Sequence, residues 1–154
     1  MSRIRIAAIL VHQEKILLMG RRKEGKSYFT FPGGGMEDGE TMGQTLTREL
    51  KEETSIDAVV ARQLYRHIYK NGNEAWYFLC VYQSGTPALD PNSEEARDNS
   101  PENFYEPKWV DVKELPNLLL YPLEIRDWLL EDLTSGLQAE PRTEHVDFEN
   151  MRQS

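Results

Sequence analysis

Cysteine is almost absent from this chain. Cys80 is the one example in 154 residues, so an internal disulfide is excluded, and a reducing compartment such as the cytoplasm is expected. Cys80 sits in an apolar stretch, where inert packing is the ordinary role. Basic charge is also scarce: 18 Lys and Arg against 26 Asp and Glu leave a net charge of −8. That excludes general nucleic-acid binding, which needs a basic face. No apolar run is long enough to span a bilayer, so no membrane partner is expected, and the first residues do not resemble a signal peptide. Internal repeats and low-complexity tracts are missing too. The length suits one domain with a real core.

Carboxylates, by contrast, are crowded where they ought not to be. Residues 31–56 read FPGGGMEDGETMGQTLTRELKEETSI, a glycine-rich turn followed by a helical pattern. Thr41 with Gln44 three residues on makes a capping-box start. At about 100° per residue, Met42, Leu46 and Leu50 form a core-facing stripe, while Gln44, Thr47 and Lys51 take the solvent side. Glu53 falls in line with Leu46, Glu49 flanks the stripe and Glu52 stands beside it. Like charges at this spacing cost roughly 0.2–0.5 kcal/mol per pair. Glu52 and Glu53 also occupy the last turn, where the helix dipole favours cations. A core-facing carboxylate without a partner loses its water, which costs more than either effect. Arg48 reaches Glu52 at i,i+4, but one guanidinium cannot neutralise three glutamates.

A divalent metal is the simplest compensation. Carboxylate and carbonyl oxygens suit hard ions, so Mg²⁺ or Mn²⁺ is favoured over zinc. Gly33, Gly34 and Gly35 let backbone groups approach an ion or phosphate closely. An ion held by few protein groups keeps open positions for phosphate oxygens and water, which points to a phosphate ester or anhydride as substrate. The bland alternative is a solvated acidic helix after a glycine turn. It does not account for the capped start, the glycines and the core-facing Glu53 together.

The spacing Gly34, five residues, Glu40, seven residues, Arg48-Glu49-Leu50, one residue, Glu52-Glu53, two residues and Ile56 resembles the Nudix box, G-x5-E-x7-R-E-U-x-E-E-x-G-U. Ser55 replaces the glycine of that pattern, a poorer left-handed helix cap by about 1 kcal/mol. The resemblance implies an α/β/α sandwich around a mixed β-sheet. It also implies Mg²⁺- or Mn²⁺-dependent hydrolysis of a diphosphate linkage in a nucleoside diphosphate derivative. By that likeness Glu49, Glu52, Glu53 and the Gly33 carbonyl would bind metal, Arg48 would orient the glutamates, and Glu40 would hold the loop to the helix. A further glutamate outside the box is expected as ligand or base, with Glu94, Glu95 and Glu106 as candidates. The alternative is a module of the same fold that senses a nucleotide without cleaving it.

The flanks are less specific. Residues 3–11 and 15–20 read as a strand hairpin. Arg21, Arg22, Lys23 and Lys26 follow on a loop broken by Gly25, either as a solvated turn or with the arginines reaching a substrate phosphate. Tyr28 opens a short aromatic strand; it and Trp76 either stack on a base or serve as core. Gly34 belongs with the substrate-binding candidates. Residues 58–69 and 76–83 read as strands joined by an Asn71-Gly72-Asn73 turn, the second of them central and covered. His67 reads as structural. Residues 85–106 read as an irregular loop and 108–112 as a last strand. Pro122 is expected to open a helix burying Ile125, Leu129 and Leu133, on the sheet face opposite the acidic helix. The domain is expected over 1–135. The polar tail 136–154 reads as disordered by composition, or as docked through Val146 and Phe148 on the domain or on a second subunit, a homodimer.

Overall fold

The computed structural model describes residues 3–137 and 140–146. Two tight hairpins open the chain. Strand β1 (Ile4–His12) turns into β2 (Lys15–Lys23) through Gln13 and Glu14, and β2 turns into β3 (Lys26–Thr30) through Glu24 and Gly25. All four turn residues have positive φ, the conformation that matches a two-residue connection to strand twist. Because the second turn needs only two residues, Arg21, Arg22 and Lys23 lie within β2 and Lys26 begins β3. The loop expected there is replaced by paired strand.

A three-residue strand, β4 (Gly33–Gly35), pairs antiparallel with β1 and leads to helix α1 (Met42–Thr54). Strands β5 (Asp57–Tyr69) and β6 (Glu74–Ser84) form the hairpin expected around Asn71-Gly72-Asn73. A short helix, α2 (Glu94–Asp98), interrupts what reads in sequence as an irregular loop. Strand β7 (Asn103–Asp111) runs antiparallel to β2 over its whole length, longer than the 108–112 strand expected. It is not the last strand. A 3₁₀ turn (Val112–Asn117), β8 (Leu120–Tyr121), α3 (Leu123–Leu133) and β9 (Arg142–Val146) follow. Pro122 caps α3 from outside rather than serving as its first residue.

Among the described residues the strands form one mixed, branched sheet in the order β8-β3-β2-β1-β6-β5-β9, with β4 on β1 and β7 on β2. β1 and β6 pair parallel, so β6 lies between β1 and β5 as a central strand. Successive β1 residues alternate between two cores, as a two-residue period requires. Ile6, Ala8 and Leu10 pack with Leu17, Cys80 and the Leu46–Leu50 stripe of α1. Ala7 and Ile9 pack with Leu18, Phe31, Tyr77 and the Ile125–Leu129 stripe of α3. Full burial of each such leucine or isoleucine contributes about 1.5–3 kcal/mol. The chain is therefore an α/β/α sandwich with one helix seated on each face.

β9 lies parallel to β5 with Val146 buried. Asp132 of α3 ties it in, accepting from the Tyr65 hydroxyl at 2.7 Å and from Arg142 Nη2 at 2.7 Å. Phe148 lies outside the described residues. No described helix is long and apolar enough to cross a membrane.

Candidate active site

The capping box forms as the sequence requires. Thr41 Oγ1 accepts the Gln44 N–H at 3.1 Å, and Gln44 Oε1 accepts the Thr41 N–H at 2.9 Å. With the start of α1 fixed and Leu46 and Leu50 in the core, Glu49 and Glu53 are driven under the glycine turn, only 9% and 8% exposed. Glu53 Oε1 accepts the Gly33 N–H at 3.1 Å. Glu52, between them, stays half-exposed, 3.4 Å from Arg48 Nη1.

The glycines are needed because the Glu49 carboxylate crowds Gly34 and the β1 backbone crowds Gly33. A Cβ on Gly34 would stand 2.4 Å from the Glu49 carboxyl carbon, and one on Gly33 would stand 2.1 Å from the Ile6 carbonyl oxygen. Any larger residue displaces either the acid or β1.

Arg48 organises the near side of the site. Its Nε and Nη2 hold Glu40 in a fork at 2.7 and 2.9 Å, and its Nη1 donates to Glu49 Oε1 at 2.8 Å. Glu40 also accepts from the Glu37 N–H and the Thr45 hydroxyl, both at 2.9 Å. These donors, Arg48 first, pull the Glu40 carboxyl down to about 2. Glu53 has no guanidinium of that kind. Burial is the main cause that pushes it up to about 8, with Arg5 opposing and Glu49 and Glu95 adding to it. Burial also raises Glu49, against the pull of Arg48.

A third buried-side carboxylate arrives from far along the chain. The last carbonyls of α1 lack partners within the helix, and the segment after β6 supplies them. The Ala88 N–H donates to Thr54 O at 3.0 Å and the Asp90 N–H to Glu52 O at 2.9 Å. Ser55, in the left-handed cap position that the family pattern gives to glycine, donates its hydroxyl to the Ala88 carbonyl at 2.7 Å. Buried Ser93 then caps α2, and the first turn of α2 carries Glu95 to the site. Oxygens of Glu49, Glu53 and Glu95 all lie within 4.8 Å of one another. Glu94, next in sequence, is exposed outside this group. Glu106 stands on β7, 3.8 Å from Lys108 Nζ.

The other candidates fall elsewhere. Arg21 is buried, donates to Phe104 O and Asn103 Oδ1 and lies over the Tyr105 ring, so its fork is engaged within the protein. Arg22 is exposed over the Phe104 ring. Tyr28, buried against Tyr121, borders with both arginines a cavity of about 280 Å³ between β2, β3, β7 and the 117–119 segment. Arg5 joins the site although its place in a strand does not mark it as a candidate. Its Nη2 donates to the Phe31 carbonyl at 3.2 Å, its buried Nε has no hydrogen-bond partner, and its charge acts on Glu53. The available signal was a cation inside the apolar RIRIAAILV run.

Three carboxylates at this separation, two of them buried with raised proton affinities, form an anionic pocket short of a cation. Their oxygens fit a hard divalent ion.

The fold and this acidic helix define a class. A family model described as the NUDIX domain matches residues 1–132, and the chain belongs to that family, an enzyme of the Nudix pyrophosphohydrolase type. It is 32% identical to an RNA pyrophosphohydrolase of Erythrobacter litoralis, over 73% of this chain and 77% of that protein. It is 29% identical to the NAD-capped RNA hydrolase NudC of Vibrio atlanticus, over 87% of this chain but 48% of that protein. Among solved structures, a NUDIX hydrolase from Nitrosomonas europaea superposes with a TM-score of 0.71 at 18% identity, covering 97% of this chain and 80% of that one. That likeness concerns the fold.

Proposed function

We propose that this protein hydrolyses a diphosphate linkage in a nucleoside diphosphate derivative by attack of water on phosphorus, with Mg²⁺ or Mn²⁺. The convergence of Glu49, Glu53 and Glu95 beneath the Gly33–Gly34 turn carries the reading. Glu49 and Glu53 would be the principal metal ligands, with Glu52 and the Gly33 carbonyl completing the set from the rim. A bound divalent ion neutralises non-bridging phosphate oxygens and makes its water more acidic. Arg48, fixed by Glu40, holds the Glu49 carboxylate in place. Glu95, borne on a segment tied to the end of α1, is placed to accept the proton of the attacking water or to join the ligands. Arg5 presents its charge beside Glu53, where a substrate phosphate oxygen would complete its unpaired Nε–H. Arg22 and Lys108, lining the cavity beside β3, suit a distal anionic part of the substrate.

The compartment that fits a single buried thiol is the cytoplasm. A sensing module that binds without cleaving is the second reading. It leaves unexplained why three mutually repelling carboxylates stay clustered. The test is product release from ADP-ribose, dinucleoside polyphosphates, nucleoside triphosphates and 5′-triphosphorylated or NAD-capped RNA oligonucleotides, with Mg²⁺ or Mn²⁺. Cleavage of at least one at a phosphorus–oxygen anhydride bond is expected. Tight binding across the panel with no turnover would instead establish the sensor.

A further inference from the structure

Away from α1, on the α3 face of the sheet, His67 lies beneath the seam where β9 joins β5. It pairs in register with Glu144 of β9, and Glu124, in the first turn of α3, closes the third side. One ligand atom from each of His67, Glu124 and Glu144 lies within 4.8 Å of the other two. The imidazole is fully buried, walled by the rings of Tyr69, Tyr77 and Trp128 at 6.1, 6.4 and 5.5 Å. Neither ring nitrogen has a hydrogen-bond partner, and the Glu144 carboxylate is 3.9 Å from Nε2, too far to supply one. A buried imidazole without a hydrogen bond is costly. Here it faces two carboxylates that repel one another across it.

We propose that His67, Glu124 and Glu144 form a second metal site, for a borderline divalent transition ion such as Zn²⁺, that clamps β9 and α3 to β5. One imidazole nitrogen with two carboxylates is a zinc-type donor set, whereas the all-oxygen set on α1 suits Mg²⁺. Bonds of about 2.0–2.2 Å to one ion would draw the three ligand atoms together from a spacing of up to 4.8 Å. The ligands come from β5, α3 and β9, so binding reports directly on the docking of β9.

The experiment uses the full chain carrying Glu49→Gln and Glu53→Gln, stripped with chelator and titrated with ZnCl₂ by calorimetry. One Zn²⁺ per chain is expected, with a rise in thermal midpoint and displaced imidazole nitrogen resonances of His67. Adding Glu124→Gln and Glu144→Gln, at partly exposed positions where the fold is retained, should weaken Zn²⁺ by on the order of 100-fold or more. It should also abolish the midpoint shift. Unchanged Zn²⁺ affinity in that variant, or His67 resonances that do not move on Zn²⁺ addition, would overturn the proposal.

Discussion

Glu40 and Glu53 belong to the same acidic site, yet their proton affinities lie far apart, at about 2 and about 8. Glu40 is gripped by the Arg48 fork, an N–H and a hydroxyl, and stays near solvent. Glu53 is buried, with one backbone N–H and the opposing charge of Arg5. The difference separates two uses of a carboxylate. Glu40 already has its cation and therefore serves as a strut. Glu53 is opposed by the charge of Arg5 without a guanidinium fork, and it is the acid that the proposed function gives to a metal.

The strongest way to break this comparison is to neutralise each acid in turn. Glu53→Gln should lower kcat by on the order of 10³-fold, because an ion ligand contributes several kcal/mol to the transition state. Circular dichroism should show the fold intact. Glu40→Gln should cost much less. Equal losses in the two variants would erase the distinction.

Arg48→Ala comes next. It frees Glu40 and removes the hydrogen bond that aims Glu49, so activity should fall about 10–100-fold and the Mg²⁺ requirement should rise. Arg48→Lys should restore little, since an ammonium cannot reproduce the planar fork. Full rescue by lysine would show that charge alone mattered.

Titration sharpens the contrast further. Glu53 has a folded value raised above its ordinary 4.5 to about 8. Its contribution is complete below pH 4.5 and is lost as pH rises toward 8, at up to about 1.4 kcal/mol per pH unit. Glu40 is lowered, so its contribution is present above 4.5 and lost as pH falls toward 2. In chelator, the thermal midpoint should decline between pH 5 and 8. Excess Mg²⁺ or Glu53→Gln should flatten that limb. Parallel curves in all three samples would contradict the assignment.

The smallest effect is expected at Ser55. Its left-handed conformation costs about 1 kcal/mol relative to glycine, while its hydroxyl bond to Ala88 contributes about 0.5–1.5 kcal/mol. The two nearly cancel, so Ser55→Gly should change unfolding free energy by less than about 1 kcal/mol. A larger loss in denaturant melts would make the Ala88 link the dominant partner.

Much of this was legible beforehand because local chemistry and global role coincide. Thr41 and Gln44 announce the helix start and Leu46 and Leu50 its buried side; the glycines read as room for an ion or phosphate, whereas Gly34 also makes room for Glu49. Where pattern and role part, the sequence is silent. β9 reads Arg-Thr-Glu-His-Val, with only Val146 buried, so it shows no alternation and is defined by the partner it finds. In β7, Pro107 and the loop-like residues before it hide the first half of a strand whose register β2 dictates. Glu95 could not be told from Glu94 and Glu106, since its place depends on hydrogen bonds between residues 88–90 and the end of α1. Arg21 looked like a free cation until β7 arrived to occupy its fork.

Those same bonds make the stretch from Ala88 to Glu95 behave as a ruler. Its zero mark is fastened to the terminal carbonyls of α1, and its reading is the distance at which the third carboxylate meets the other two. Removing one residue between Asp90 and Ser93 would miscalibrate the site without touching any of its members. An insertion beyond Asp98, past the last graduation, would leave the measurement unchanged.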